Sequence, residues 1–181
     1  MAEQSVCHSA GVRRDRIVIQ PYDAAWVAGF ETQRAVLEPV LGVPVHHIGS
    51  TSVPGLPAKP IIDMLAVVED RDQVDLVAVE AAGWRHAPEP GDEEQRKLSF
   101  CHPTVEHRTH HLHVVEYSSE GWRDWLLFRD YLREHRDEAE RYAALKRELA
   151  AADDTDRPRY RAGKAPLIAE LMLTARSWRL A

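Results

Sequence analysis

Apolar and polar positions along the chain change repeatedly between the spacing of strands and the spacing of helices. RIVIQ, residues 16–20, is a short β-branched run closed by Pro21 and predicts a strand. The segment from Tyr22 onward has apolar residues three and four positions apart, which predicts an amphipathic helix ending near Pro39 and Gly42. VPVHHI (43–48) predicts a second strand. PIIDMLAVV (60–68) predicts a third, and its continuous apolar run is typical of a strand buried on both faces.

The middle of the chain repeats this alternation. DRDQVDLVAVEAAG (70–83) predicts a helix with an acidic start and a glycine end, and WRHAPEPGDEEQ (84–95) predicts a loop. KLSFCH (97–102) and HLHVVEY (111–117) predict two strands, which the intervening PTVEHRTH joins as a hairpin.

The C-terminal third is helical in pattern. Ser118 or Ser119 is the predicted N-cap, and two or three helices follow over residues 118–181. Residues 1–14 are polar and predicted to be frayed, and residues 15–181 are predicted to form one domain. A mixed sheet of four or five strands with a helical C-terminal third belongs to the α+β class.

Composition and charge restrict the functional classes. The 181 residues are 44% hydrophobic, enough for a sizeable core, and the net charge of −6 argues against an extended nucleic-acid surface. A local basic pocket for a small phosphorylated ligand remains compatible with that charge. No apolar run approaches the roughly 20 residues of a membrane span, and the N-terminus lacks a signal-peptide pattern. Cys7 and Cys101 imply no disulfide framework, so we expect a cytoplasmic protein.

The loop HIGSTSVPGLPAKP, between the second and third predicted strands, contains the first candidate site. Gly49 lets backbone N–H groups approach a phosphate, and the Ser50 hydroxyl adds a donor. The alternative is a proline-rich connection whose hydroxyl groups cap a short helix.

Asp63 lies in the apolar strand that follows this loop. Burial of an ionised carboxylate among Ile62, Met64 and Leu65 is costly without a partner, so Asp63 is expected to face a cleft, a metal or a cation. A carboxylate there could hold Mg²⁺ beside bound phosphate. The structural alternative is an ion pair with Lys59 or with a histidine.

HHLHVVE contains a second group of candidates. His111 and His113 fall on one face of the predicted strand and His110 on the other. Such a pair can bind a metal, donate to phosphate or act in acid–base catalysis. Glu116 lies on the opposite face from this pair and would need a β-bulge to join it.

Two further groups leave alternatives open. Cys101 and His102 lie near the histidines, so a zinc site is a rival hypothesis, although no spacing typical of a zinc site supports it. Arg129 and Arg133 are four residues apart on one helical face, beside Asp130, and suit either phosphate recognition or a solvated charged face.

These segments, in this order, resemble the GrpB family, also called UPF0157, which belongs to the nucleotidyltransferase superfamily of DNA polymerase β type. The matching segments cover the chain from about Arg16 to Trp178: IVIQPYDAAWVAGFE, HHIGSTSVPGLPAKPIIDMLAVV, HHLHVVE, FRDYLREH, YAALKRELA and YRAGKAPLI. The HIGSTSVPGLPAKPIID stretch is long and specific. The resemblance implies a small mixed sheet flanked by helices.

The resemblance also implies roles for individual residues. Gly49 and Ser50 correspond to the loop that holds a nucleoside triphosphate, and Thr51, Ser52 and Lys59 are expected to contact its phosphates as well. Asp63 corresponds to a magnesium ligand of the two-metal centre in active members of the superfamily. The second acidic residue of that centre is absent here, because Ile61 and Leu65 stand two positions from Asp63.

We therefore carry three functional hypotheses from the sequence. The first is a Mg²⁺-dependent enzyme that transfers a nucleotidyl group from a nucleoside triphosphate to a small acceptor, or adenylates a carboxylate as a ligase does. Asp63 would hold the metal, His111 or His113 would act on the acceptor or phosphate, and Arg129 and Arg133 would bind negative charge. The second is a module that binds a nucleotide or coenzyme-A-like ligand without turnover. The third is a hydrolase with a histidine-bound metal.

Overall fold

The structure is a computed structural model that describes residues 16–180. Within that range five strands and five α-helices form an α+β fold, as the sequence predicts. In chain order they are α1 (Ala25–Leu41), β1 (Val45–Ile48), β2 (Ile62–Val68), α2 (Leu76–Ala81), β3 (Arg85–His86), β4 (Lys97–Pro103), β5 (Arg108–Glu116), α3 (Trp122–Glu134), α4 (Arg136–Ala152) and α5 (Arg157–Leu180).

The strands form one mixed sheet in the order β1-β2-β5-β4-β3. Strands β2 and β5 are parallel neighbours at its centre, and the other pairs are antiparallel. The predicted hairpin of β4 and β5 is confirmed. Because β2 and β5 pair in register, Asp63 lies beside His111 and Leu65 beside His113.

The sheet is covered on both faces. One face packs against α1 and α2 through residues such as Leu37, Met64 and Leu112, all completely buried. The other face packs against α3, where Trp125 lies against a cluster that includes Leu65 and Val115. This two-sided burial explains the nearly continuous apolar sequence of β2.

The three C-terminal helices form a second core, and part of the loop after β1 is packed into it. Val53 and Leu56 from this loop are buried against Leu132 of α3, Tyr142 of α4 and Leu171 of α5. The proline-rich connection between β1 and β2 is therefore held between the sheet and the helices. That position brings the loop next to side chains from the end of the chain.

The prediction of a strand at residues 16–20 is wrong. The segment makes one isolated bridge, between Gln20 and Ala58 of the proline-rich loop, and Ile17 N–H donates to the Asp154 carbonyl at 2.6 Å. Pro21 has no N–H to continue a ladder. The segment thus connects the proline-rich loop with the turn between α4 and α5.

The region of residues 70–95 differs from its prediction in two ways. Asp70 and Asp75 each accept a backbone N–H, so residues 71–73 form a separate 3₁₀ turn and α2 starts after Asp75. The predicted loop of residues 84–95 contains β3, a strand at the edge of the sheet that pairs with β4. Two residues are too few for the strand periodicity to appear in sequence.

The predicted N-cap at Ser118 or Ser119 is also wrong. Helix α3 begins at Trp122, after Gly121, and the Ser118 hydroxyl donates to Glu116 Oε1 at 2.6 Å instead. Three helices follow, within the predicted number. None of the helices between residues 16 and 180 combines the length and apolarity that a membrane span requires. The frayed N-terminus and Cys7 of the sequence predictions lie outside the described residues.

Candidate active site

The site is built around Gly49, which follows β1 and starts the turn into the proline-rich loop. Its φ of +69° lies in the left-handed region, and a Cβ placed on it would lie 2.5 Å from Asp63 Oδ2. A side chain here would therefore be strained and would also displace the carboxylate. Glycine allows the start of the loop to lie directly against Asp63.

Asp63 Oδ1 lies 3.3 Å from His111 Nδ1. The two residues are neighbours in the parallel pairing of β2 and β5. Burial acts to raise the pKa of the Asp63 carboxyl. The hydrogen bond from His111, with the charges of His111, His113 and Lys59, outweighs burial and lowers the pKa below its usual range. Asp63 is therefore ionised at neutral pH, with a third of its side chain still exposed.

The loop hydroxyls have different surroundings. Ser50 Oγ accepts a hydrogen bond from Lys146 Nζ at 2.9 Å. The Thr51 hydroxyl lies 3.0 Å from His47 Nε2, and Ser52 Oγ donates to the Gly49 carbonyl. Thr51 and Ser52 thus stabilise the turn itself, and their predicted contacts with phosphate remain predictions.

A pocket of about 190 Å³ opens beside Ser50 and Asp63 and is strongly cationic. Lys59 comes from the loop, Lys146 from α4, and three more basic residues from α5. The basic side chains lining it are Lys59, Lys146, Arg157, Arg161 and Lys164. Asp63 is the acidic side chain of the lining, so positive charge predominates and the pocket suits a multiply charged anion.

Two of the pocket lysines have altered acidity. Burial, followed by the charges of Lys164 and Arg147, lowers the pKa of Lys146 to about 7. Burial also lowers the pKa of Lys164, although the charge of Asp63 opposes the shift. A bound anion would favour the protonated form of both amines.

A second, larger cavity of about 510 Å³ lies on the side of α3 and shares Ser50 and Asp63 with the cationic pocket. Its lining is mostly apolar. The side chains that give it this character are Ile48, Val53, Trp125, Phe128, Leu132, Tyr142, Ile168 and Met172.

The two histidines of the site, His111 and His113, line different pockets. His111 lines the cationic pocket and His113 the apolar cavity, where its ring packs edge-on to Trp125 at 5.3 Å. Burial lowers the pKa of His113 to about 4, so its ring is neutral at pH 7. His111 Nε2 and His113 Nδ1 are buried and have no hydrogen-bond partner within residues 16–180.

The remaining candidates lie around this centre. Arg129 donates to the His47 carbonyl at 3.0 Å, and Arg133 donates twice to the Ser52 carbonyl, at 3.0 and 2.8 Å. Both guanidinium groups thus tie α3 to β1 and the loop, and their predicted role in anion binding remains a prediction. Glu116 is bound to Arg96 at 2.6 Å and does not join the histidines.

The predicted rival zinc site on Cys101 and His102 does not assemble. The two residues are adjacent in β4 and therefore point to opposite faces of the sheet. His102 Nδ1 lies 2.9 Å from the Gly83 carbonyl, whereas Cys101 is buried opposite His111. Nowhere in residues 16–180 do three histidine, cysteine or acidic side chains converge as a metal-binding group.

Sequence reasoning missed most of the residues contributed by α4 and α5. The sequence pattern assigns no role to Lys146 or Lys164, and Arg157, Tyr160 and Arg161 carry no recognisable pattern. Aromatic residues in helices are most simply expected to pack in the core, yet Trp125 and Tyr142 both line the apolar cavity. The available signal for Tyr142, Lys146, Tyr160, Arg161 and Lys164 was their position in YAALKRELA and YRAGKAPLI, two of the segments that carry the family resemblance.

Comparison with known proteins identifies the family. The GrpB protein family matches residues 16–173. UPF0157 protein PA4798 of Pseudomonas aeruginosa is 38% identical over 164 residues, which are 87% of this chain and 67% of that protein. UPF0157 protein YqkA of Bacillus subtilis is 35% identical over 97% of this chain, which spans only about half (51%) of that relative.

A solved structure agrees with the sequence comparison. The crystal structure of the conserved protein GrpB from Enterococcus faecalis matches with a TM-score of 0.80 and 33% identity, over 91% of this chain and 100% of that one. The predicted fold class and family resemblance are both confirmed. The chain belongs to the GrpB family.

Proposed function

We propose that this protein binds a nucleoside triphosphate with Mg²⁺ and transfers a nucleotidyl group to a small acceptor. The observation that carries the proposal is the position of Asp63, between the Gly49–Ser50 turn and a pocket with five basic side chains. The basic residues suit a polyphosphate. An ionised carboxylate in the same pocket would repel phosphate unless a divalent cation lay between them.

The donor chemistry at Asp63 fits magnesium. Mg²⁺ prefers oxygen ligands and commonly uses one or two carboxylates, with phosphate oxygens and water completing the shell. Asp63 supplies one such carboxylate, and it is the acidic side chain among the residues that line the cationic pocket. When bound, the ion would neutralise negative charge that develops on the phosphate oxygens.

The other side chains of the site would bind the phosphates and accept a proton. Ser50 and the basic residues would hold the β- and γ-phosphates and stabilise pyrophosphate as it leaves. A hydroxyl or amine of the acceptor would form the new bond to the α-phosphorus while the bond to the bridging oxygen breaks. The proton of the acceptor would pass to His111 or His113, each of which has one ring nitrogen without a hydrogen-bond partner among residues 16–180.

A carboxylate acceptor would give a related reaction. Its oxygen would attack the same phosphorus to form an acyl adenylate, and an amine could then displace the nucleotide, as in a ligase. The two variants differ in their products, since simple transfer leaves the nucleotide on the acceptor and ligation releases it as a monophosphate.

A second candidate function is binding without turnover. The absence of a second carboxylate favours it, because Ile61 and Leu65 occupy the positions two residues before and after Asp63. Such a module would bind nucleotide with little dependence on Mg²⁺ and would release no pyrophosphate.

The proposal is tested by incubating the purified protein with Mg²⁺ and ATP labelled at the α-phosphate, in the presence of a library of small acceptors. We expect pyrophosphate release and a labelled product. Asp63→Asn is expected to abolish both, whereas Glu69→Gln, an exposed acid just beyond β2, should leave both unchanged. Full activity of Asp63→Asn would disprove the metal role.

Measurements on the same purified protein also test the binding-module and hydrolase hypotheses. If ATP binds tightly with an affinity that does not depend on Mg²⁺, and no product forms after long incubation, the binding module is favoured. Stoichiometric zinc or iron in the purified protein would revive the hydrolase hypothesis.

A further inference from the structure

The apolar cavity beside the proposed triphosphate site has no role in the reaction described so far. It meets the cationic pocket at Ser50 and Asp63, which line both. Its volume of about 510 Å³ falls within the usual range for pockets that bind small molecules. The two pockets thus lead away from the same carboxylate, with different chemistry in each.

The lining of the cavity selects against a highly charged occupant. Trp125, Phe128 and Tyr142 contribute aromatic surface, and the charged side chains of the lining already have partners. Asp124 is paired with Arg176 at 2.7 Å, and Arg129 is held by the His47 carbonyl and by Asp130. A polyphosphate would lose its hydration here without gaining a free cation.

One buried polar atom of this lining remains available. His113 lines the cavity near Asp63, and its Nδ1 has no hydrogen-bond partner among residues 16–180. A buried ring nitrogen without a partner is costly, and a ligand hydroxyl or amine could satisfy it. The cavity therefore combines a mostly apolar lining with a polar anchor at His113.

In-line transfer requires the attacking atom and the leaving pyrophosphate to lie on opposite sides of the α-phosphorus. The cationic pocket suits pyrophosphate, and the apolar cavity opens from the same pair of residues, Ser50 and Asp63. We infer that the apolar cavity binds the acceptor, and that the acceptor is a molecule with an aromatic or aliphatic body that carries a hydroxyl or amine.

This inference rests on the proposed function and adds the substrate class to it. The bond changes are those already given for the transfer. The cavity determines the side from which the nucleophile arrives, and a hydrogen bond with His113 Nδ1 orients it. His111, which lines the cationic pocket, would then lie on the side of the leaving group.

The test uses two neutral alcohols, 2-naphthalenemethanol and 4-phenylbutan-1-ol, with glucose and glycerol as polar counterparts. Binding to the full chain is measured by saturation-transfer NMR, and binding of Mg²⁺–ATP is measured separately by calorimetry. Ile168→Trp fills the cavity from α5, and Leu173→Trp places the same ring on the exposed side of that helix, where Leu173 is 67% exposed.

We expect both aromatic alcohols, and neither polar compound, to bind the wild type and Leu173→Trp. Ile168→Trp should weaken alcohol binding at least tenfold while changing the affinity for Mg²⁺–ATP less than twofold. Intermolecular NOEs between the alcohols and the Trp125 ring are expected in the wild type, a readout that needs no variant. Addition of Mg²⁺–ATP should leave the bound alcohol in place.

Three outcomes would overturn the inference. If Mg²⁺–ATP binds and no aromatic alcohol does, the acceptor assignment fails while the proposed function stands. If adenosine displaces the alcohols, the cavity holds the nucleobase instead. If the alcohols bind and Mg²⁺–ATP does not, the proposed transfer reaction fails, and the acceptor role fails with it.

Discussion

Lys146 Nζ donates a hydrogen bond to Ser50 Oγ at 2.9 Å, although 96 positions separate the two residues in the chain. The same amine donates to the Pro57 carbonyl, so one side chain of α4 holds both ends of the proline-rich loop. Lys146 is only 2% exposed. The loop beside Asp63 is therefore anchored by a lysine whose charge changes near neutral pH.

The depressed pKa of Lys146 predicts how stability depends on pH. Burial lowers that pKa to about 7 in the folded protein, whereas the unfolded chain keeps the ordinary value of 10.5. Between these values the unfolded state holds a proton that the folded state has released, so the free energy of unfolding rises with pH. Urea unfolding at pH 6.5, 8 and 9.5 should show a smaller rise for Lys146→Met than for the wild type.

Arg136→Met is the matched control, because it removes a positive charge that is 92% exposed from the start of the same helix and does not contribute to the lowered pKa of Lys146. Its stability should follow the pH dependence of the wild type. Equal slopes for Lys146→Met and the wild type would mean that Lys146 titrates at its ordinary pKa.

Gly49→Ala is predicted to damage both stability and the site. The left-handed φ of +69° costs about 1–3 kcal/mol for a residue with a side chain. The new Cβ would also lie 2.5 Å from Asp63 Oδ2 and displace the carboxylate. We expect thermal unfolding at a lower temperature and at least a tenfold loss of Mg²⁺–ATP affinity by calorimetry.

Gly55→Ala separates these two effects. Gly55 is in the same loop with φ of +80°, and nothing lies within 4 Å of the position of its Cβ. It should lose comparable stability but keep its affinity for Mg²⁺–ATP. Similar affinity losses in the two variants would show that the contact with Asp63 is unimportant.

His111→Ala is predicted to raise the pKa of Asp63. Burial raises that pKa, and His111 provides the strongest opposing interactions through its hydrogen bond and its charge. A ¹³C NMR titration of the side-chain carboxyl should detect the shift. The exposed His107, in the loop after β4, provides the control His107→Ala, which should not change the titration.

The same interaction has a consequence for acid stability. Because the folded protein holds the pKa of Asp63 below the unfolded value of 3.8, Asp63 stabilises the fold above that pH and less as the pH falls through the folded pKa. The wild type should therefore lose more stability than His111→Ala on acidification in this range. A pKa of Asp63 that is the same in both proteins would contradict the assignment.

Arg133→Ala is predicted to destabilise the protein by roughly 1–3 kcal/mol, because two charged hydrogen bonds to the Ser52 carbonyl are lost. Arg136→Ala, which truncates a side chain that is 92% exposed, should change stability by less than about 0.5 kcal/mol. Denaturant unfolding measures both.

Calorimetry with Mg²⁺–ATP then tests the role of Arg133 as an anion ligand. If it only positions the loop, lowering the temperature to restore a fully folded Arg133→Ala should also restore most of the affinity. A tenfold affinity loss in the fully folded variant would support the direct contact with phosphate that the sequence predicts.

The amino-acid sequence by itself determined the family and the α+β class, and it predicted the centre of the candidate site. The apolar run around Asp63 predicts a buried central strand, and the Gly49–Ser50 turn before it predicts a loop at the end of β1. These features depend on residues close together in the chain, where periodicity and turn chemistry act. Short or weakly patterned elements, such as β3 and the segment of residues 16–20, are decided by the neighbours with which they pair.

The composition of the two pockets was decided only by the tertiary structure. Lys146 and Lys164 lie far along the chain from Ser50, and only the packing of α4 and α5 against the proline-rich loop brings them to it. His111 and His113 share a strand face, as predicted, yet each lines a different pocket. The His113 ring packs against Trp125 of α3, whereas His111 lines the pocket to which α5 contributes. Local patterns carry no information about such contacts, since these depend on how whole helices pack together.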